Sequence, residues 1–155
     1  MTDGSRTLLY LVRHGEAKPK EEDLERPLTP AGADAVARMA AWAAGTGIRV
    51  EEVQHSGKLR AQQTAEVFAQ HLLDAPGPQA ISGLGPNDDI QPIAQQLQGE
   101  SCSIMLVGHL PFLERLASFL VTGNESASVA TLKACALLVL AKNESGWSVA
   151  DRKFD

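Results

Sequence analysis

No apolar run in the 155-residue chain approaches the roughly 20 residues needed to cross a bilayer, so no membrane span is expected. The first residues, Met1-Thr2-Asp3-Gly4-Ser5-Arg6, have neither the basic start nor the long apolar stretch of a signal peptide, and a cytoplasmic location is the expectation. Cysteine is scarce. Cys102 and Cys135 lie far apart and match no metal-ligand spacing, so two reduced, half-buried thiols are expected. Clustered histidines and carboxylates are missing too, which counts against a metallo-hydrolase built on His14, His109 and acidic residues. No metal and no cofactor are therefore expected. Excess positive charge is also lacking: a formal charge of −5 excludes broad attraction to nucleic acid. No internal repeat, low-complexity segment or linker interrupts the chain. Residues 1–155 read as one domain, large enough to bury a core, with a monomer the simplest state.

What is present alternates between two periods. Leu8-Leu9-Tyr10-Leu11-Val12 and Ser103-Ile104-Met105-Leu106-Val107 are unbroken apolar runs, the pattern of strands covered on both faces. A charged loop with two prolines runs from Lys18 to Pro27. Thr29-Pro30-Ala31-Gly32 reads as a capped helix start, with Val36, Met39, Ala40 and Ala43 inward and Gly45-Thr46-Gly47 as the stop. Val50 to His55 suggests a strand. Gly57 to Leu73 suggests a helix with Leu59, Ala65, Phe68, Ala69 and Leu72 inward. Pro76-Gly77-Pro78 is a break, followed by a short strand at Ala80-Ile81 and a short helix from Ile90 to Leu97. Pro111 to Leu120 is helical, with Phe112, Leu116, Phe119 and Leu120 inward. Ala134 to Ala141 is a strand, and Trp147 to Ala150 its hairpin partner. This alternation predicts an α/β sandwich with a mostly parallel central sheet flanked by helices.

In such sheets ligands sit beyond the carboxyl ends of the strands. Three segments put polar residues there: Arg13-His14-Gly15, then His55-Ser56 with Arg60 a turn later, then Gly108-His109-Leu110-Pro111. If the strands are central, two arginines and two histidines converge. Arginine forks match phosphate oxygens. A neutral histidine can attack phosphorus, and a second can donate to an oxygen gaining charge. Gly15 and Gly108 allow close backbone approach, and the helix after Pro111 can aim its amides at an anion. His55 reads as a strand-end residue and His71 as a complement to its helix dipole. Met39, Met105, Trp42 and Trp147 read as packing residues.

The segment Leu-Val-Arg-His-Gly-Glu at 11–16 resembles the defining motif of the histidine phosphatase superfamily, also called phosphoglycerate-mutase-like. Ser56-Gly57-Lys58-Leu59-Arg60-Ala61-Gln62-Gln63-Thr64 resembles its second motif, and Val107-Gly108-His109-Leu110-Pro111 its third. Arg26-Pro27-Leu28-Thr29-Pro30-Ala31-Gly32 and Leu84-Gly85-Pro86 are similar to segments of the small phosphohistidine phosphatases of the SixA type. The resemblance implies a three-layer phosphoglycerate-mutase-like fold. It also implies His14 as the nucleophile, Arg13 and Arg60 on the phosphoryl oxygens, and His109 as phosphate ligand and transition-state stabiliser. Glu16 is implied in a supporting role. Arg26 is implied either to touch substrate or to anchor its loop. The implied substrate bears a phosphate, with phosphohistidine on a phosphorelay protein the leading choice.

One departure bears on substrate. Many members of the superfamily carry a glutamate general acid after the third strand. Here the region reads Ser82-Gly83-Leu84-Gly85-Pro86-Asn87-Asp88-Asp89. Asp88 or Asp89 could substitute, but both also suit a helix N-cap, which is the favoured reading. Without an acid, a leaving group that departs neutral is preferred, as imidazole does from protonated phosphohistidine. Small phosphomonoesters form a second candidate substrate class. The same fold could also serve as a non-catalytic phospholigand-binding domain or as a mutase.

Overall fold

The computed structural model describes residues 7–73 and 77–153. Met1–Arg6 and Pro76, invoked above, lie outside them. The elements in chain order are β1 (Thr7–Arg13), α1 (Pro30–Gly45), β2 (Glu52–His55), α2 (Leu59–Leu72) and β3 (Gln79–Ala80). Then come α3 (Gln91–Gln98), β4 (Ile104–Gly108), α4 (Phe112–Thr122), β5 (Leu137–Asn143) and β6 (Gly146–Lys153). The six strands form one sheet in the order β3-β2-β4-β1-β5-β6. The first four run parallel, and β5 and β6 add two antiparallel pairings. The mostly parallel sheet flanked by helices is therefore as expected. Among the described residues no helix is long and apolar enough to cross a membrane.

The unbroken apolar runs have a simple cause. Leu9 and Leu11 of β1, Ile104 and Leu106 of β4, and Leu138 and Leu140 of β5 face a core closed by α3 and α4. Their alternates Tyr10, Val12, Met105, Val107, Leu137 and Val139 face a second core closed by α1 and α2. A strand buried on both faces has no polar side to alternate with.

Several boundaries differ from expectation. Val50 precedes β2, its amide bonded to the Leu72 carbonyl at 3.4 Å. Gly57, at φ +91°, keeps α2 from starting before Leu59, and Leu59 is only half-buried. Phe119 is likewise half-buried. The segment Ala134–Ala136 is a turn, so β5 begins at Leu137. Cys135 sits there at φ +66°, its amide donating to the carbonyls of Arg13 at 3.0 Å and His14 at 3.2 Å. That tether to the end of β1 overrides the apolar pattern of the run. Cys135 is buried and Cys102 half-buried, both free.

The α1 start is as read. Thr29 lies outside the helix and its hydroxyl accepts from the Gly32 amide at 2.9 Å. Here α1 presses against the loop after β1. A Cβ on Gly32 would lie 2.2 Å from the Glu16 carbonyl oxygen, which is backbone. Gly32→Ala is therefore expected to cost about 3 kcal/mol, the upper end of ordinary overpacking. Thermal unfolding checks this. An unchanged midpoint would show that the contact relaxes freely.

Candidate active site

The sheet order places β1 and β4 side by side at its centre, with β2 next to β4. Their carboxyl ends carry the three polar segments. Parallel pairing continues past β1, because the His14 amide donates to the Gly108 carbonyl at 3.0 Å. His14 and His109 thus emerge from neighbouring strands, with ring centroids 5.0 Å apart and planes tilted by 55°. Arg13 and Arg60 stand close enough for their charges to act on His14. All four predicted residues are brought together.

Each ring has an orienting partner. The Gly15 carbonyl lies 2.7 Å from His14 Nδ1. A carbonyl only accepts, so Nδ1 carries the proton and Nε2 keeps its lone pair. The neighbouring Gly15 amide donates to Thr64 Oγ1 at 3.0 Å, and Thr64 donates to the Arg60 carbonyl at 2.9 Å. The loop bearing His14 is thereby tied to the helix bearing Arg60. Ser56 Oγ lies 2.6 Å from His109 Nε2. The Ser56 hydroxyl already accepts from the Lys58 amide at 3.3 Å, which leaves it free to donate to His109. His109 Nδ1 would then carry the ring proton. Arg13 Nη1 donates to the Leu132 carbonyl at 3.0 Å, and the Leu132 amide donates to Glu114 Oε2 at 2.8 Å.

Three buried side-chain atoms among the described residues have no hydrogen-bond partner: Arg13 Nε, Arg60 Nε and His109 Nδ1. Buried donors are normally satisfied. Here the orphaned atoms belong to three of the four converging residues and to no other described residue. They suit an anion with several acceptor oxygens.

Burial is the main reason that His14 is pushed down to about 4. The Gly15 carbonyl opposes the shift, while the charges of Arg60, Arg13 and Arg26 add to it. His109 is pushed down to about 3, first by burial and then by His14, Arg60, Lys58 and Arg26. Both rings are neutral near pH 7, which leaves His14 Nε2 able to attack. A titration of the phosphate-free protein by histidine NMR should give midpoints near these values, about 4 for His14 and about 3 for His109. Midpoints above pH 6 would contradict the cationic, buried setting. The sign for stability follows. The unfolded rings take up protons at about 6.5. Their contribution to stability is full above that value and is lost as pH falls through about 4 for His14.

The remaining candidates have hydrogen-bond partners of their own. Arg26, at φ +51°, donates from Nε to the Lys18 carbonyl at 3.0 Å, so it anchors its loop. Its charge still reaches both histidines. Glu16 accepts from the Thr29 hydroxyl at 2.7 Å, a structural link to the start of α1. Asp88 accepts from the Gly85 amide at 2.7 Å, and Asp89 from the Gln91 amide at 3.0 Å. Among the described residues no carboxylate is hydrogen-bonded to His14 or His109, whose ring partners are the Gly15 carbonyl and the Ser56 hydroxyl. His55 is buried and accepts from the Gly57 amide at 3.0 Å, and His71 donates to the Val67 carbonyl in the last turns of α2. No group of three or more His, Cys, Asp or Glu residues suited to a metal ion occurs among the described residues. Ser56 and Thr64 lay within a motif, but their partners were not legible. Glu114 and Leu132 gave no signal at all.

Known proteins resemble this chain in sequence and fold. The family model of the histidine phosphatase superfamily (branch 1) matches residues 9–78. Phosphohistidine phosphatase SixA of Escherichia coli (strain K12) is 30% identical over 143 residues, covering 89% of this chain and 88% of that protein. An uncharacterized protein of a Picosynechococcus strain is 33% identical over 123 residues, covering 75% and 74%. The solved structure of the protein histidine phosphatase SixA complexed with tungstate superposes with a TM-score of 0.84 at 25% identity, over 96% of this chain and 97% of that one. Two histidines and two arginines gathered at the carboxyl end of the sheet, the fold that places them and a relative aligned along 89% of the chain agree, and the chain belongs to the histidine phosphatase superfamily.

Proposed function

We propose that this chain is a metal-independent phosphatase that removes the phosphoryl group from phosphohistidine on a protein, through a phosphohistidine intermediate on His14. The observation that carries the reading is the pair of rings 5.0 Å apart beside unpartnered arginine donors, with a carbonyl and a hydroxyl, not a carboxylate, on their ring nitrogens. His14 Nε2 attacks phosphorus as the bond from phosphorus to the substrate nitrogen breaks. Arg13, Arg60 and His109 hold the three phosphoryl oxygens and take up the charge that builds on them. The leaving imidazole keeps the proton on its other nitrogen and departs neutral. Water then attacks phosphorus, the bond to His14 Nε2 breaks, and inorganic phosphate leaves.

The missing acid selects the substrate. An alkoxide leaving group is strongly basic and needs a proton at departure. Asp88 and Asp89 each accept a loop amide, and neither is hydrogen-bonded to His14 or His109. The gathered charges are cations, which repel a metal ion and attract a phosphoryl dianion. Tungstate, the oxoanion in the structure of the SixA relative, supports an oxoanion seat on this fold. The reading also carries a single domain, a monomer and a cytoplasmic signalling role, in keeping with two free thiols.

The test compares turnover of a phosphohistidine-bearing protein with that of a phosphoserine peptide, both in chelator. Phosphohistidine should be cleaved about 100-fold faster or more, the lower range of a general-acid contribution. Equal rates on the two would refute the missing-acid argument. Turnover of neither would favour a phospholigand-binding domain.

A further inference from the structure

We infer that the groove lined by Ser128, Thr131, Lys133 and Arg152 binds acidic side chains of the phosphorylated protein, next to its phosphohistidine. The inference rests on the protein-substrate reading above and adds where that protein docks.

The groove is about 500 Å³, with Val129 and Ala130 completing its wall. It adjoins the phosphate seat through the chain itself. Thr131 and Lys133 flank Leu132, whose carbonyl is 3.0 Å from Arg13 Nη1. Consecutive Cα atoms are about 3.8 Å apart, so the groove lies within a few residues' reach of a seated phosphohistidine. Its wall is held from three directions: Glu114 takes the Leu132 amide, Arg13 takes the Leu132 carbonyl, and the Cys135 amide bonds the Arg13 and His14 carbonyls. Lys133 and Arg152 are exposed, and neither side chain has an ion-pair partner among the described residues. Two unpaired cations on a fixed wall fit carboxylates.

The opposite wall differs. The loop from Lys18 to Pro27 mixes Glu21, Glu22, Asp23 and Glu25 with Lys18, Lys20 and Arg26 around Leu24, which is 83% exposed. That loop is tied to α2 through the Leu28 amide and Gln63 Oε1, whereas Glu114, which holds the Lys133 wall, belongs to α4. α2 and α4 cover opposite faces of the sheet. The two unpaired cations therefore stand on one side of the mouth, across from a loop of mixed charge. A protein with acidic residues on one side of its phosphohistidine docks in one orientation.

The test uses two fluorescein-labelled peptides bearing a phosphonate analogue of phosphohistidine. One has Asp and Glu at the flanking positions, the other Asn and Gln. Anisotropy at low salt gives Kd for the wild type and for Lys133→Gln/Arg152→Gln. The wild type should bind the acidic peptide about tenfold more tightly, as expected for two rim ion pairs. The preference should fade with salt and vanish in the variant, with the Kd of the neutral peptide unchanged. The net charge of −5 works against this preference, so bulk attraction cannot produce it. Equal binding by the wild type, a preference that survives in the variant, or no binding of either peptide would overturn the inference. Turnover of a phosphohistidine peptide, measured in parallel, tests the substrate reading alone, because the Kd ratio does not depend on catalysis.

Discussion

Replacing His14 with alanine should lower phosphohistidine turnover by about 10⁴-fold or more, as removal of a covalent nucleophile does elsewhere. The fold should survive. His14 is only half-buried, and its backbone amide, not its ring, continues the β1 pairing through Gly108. The ring makes one hydrogen bond, to the adjacent Gly15 carbonyl. Its loss therefore removes the lone pair at Nε2 and leaves the cationic seat. A binding measurement with phosphate or tungstate should show affinity kept, or raised by the room left behind. Residual turnover within tenfold of the wild type would remove His14 from the reaction.

Arg60→Ala should be the next most damaging change, lowering kcat by about 10² to 10³-fold, the usual cost of losing one donor at a charge-gathering centre. Arg60 Nε is buried with no partner among the described residues, so it is available to a phosphoryl oxygen. Its charge is also the first of the arginine charges holding His14 neutral. Two effects then oppose each other in the variant. The oxygens lose a ligand, while His14 titrates at a higher pH than before. The acid limb of kcat/KM should move upward together with the loss in rate. Arg60→Lys keeps the charge but not the fork, so it should restore the pH profile more fully than the rate. Arg13 is a less clean test, because its Nη1 also holds the Leu132 carbonyl and with it the basic wall.

Much of this molecule was legible in its sequence, for identifiable reasons. β1 and β4 are read from unbroken apolar runs, because both faces of these central strands are buried. The start of α1 is read from Thr29 and Pro30, because capping is a local event. Three residues of the seat are read from their positions at strand ends, and Arg60 from its place one turn into the helix after β2. What escaped was long-range. The Ser56 hydroxyl meets His109 only because β2 lies beside β4. Glu114 reaches Arg13 through the peptide of Leu132, a contact no local pattern encodes. The run from Ala134 to Ala141 looks like one strand, yet the tether of Cys135 to the Arg13 and His14 carbonyls bends its first residues into a turn. The last strand runs on to Lys153 with its outer side chains exposed, so hydrophobicity marks only its start at Trp147.

The central claim is a covalent phosphoryl group on His14, and trapping tests it most directly. A phosphohistidine protein labelled in its phosphoryl group is mixed with the enzyme, quenched in alkali within one turnover, and digested for peptide mapping. The account predicts label on the peptide holding His14, appearing before inorganic phosphate and decaying as phosphate forms. Phosphate release with no labelled enzyme at any time, or label on His109 instead, would contradict it.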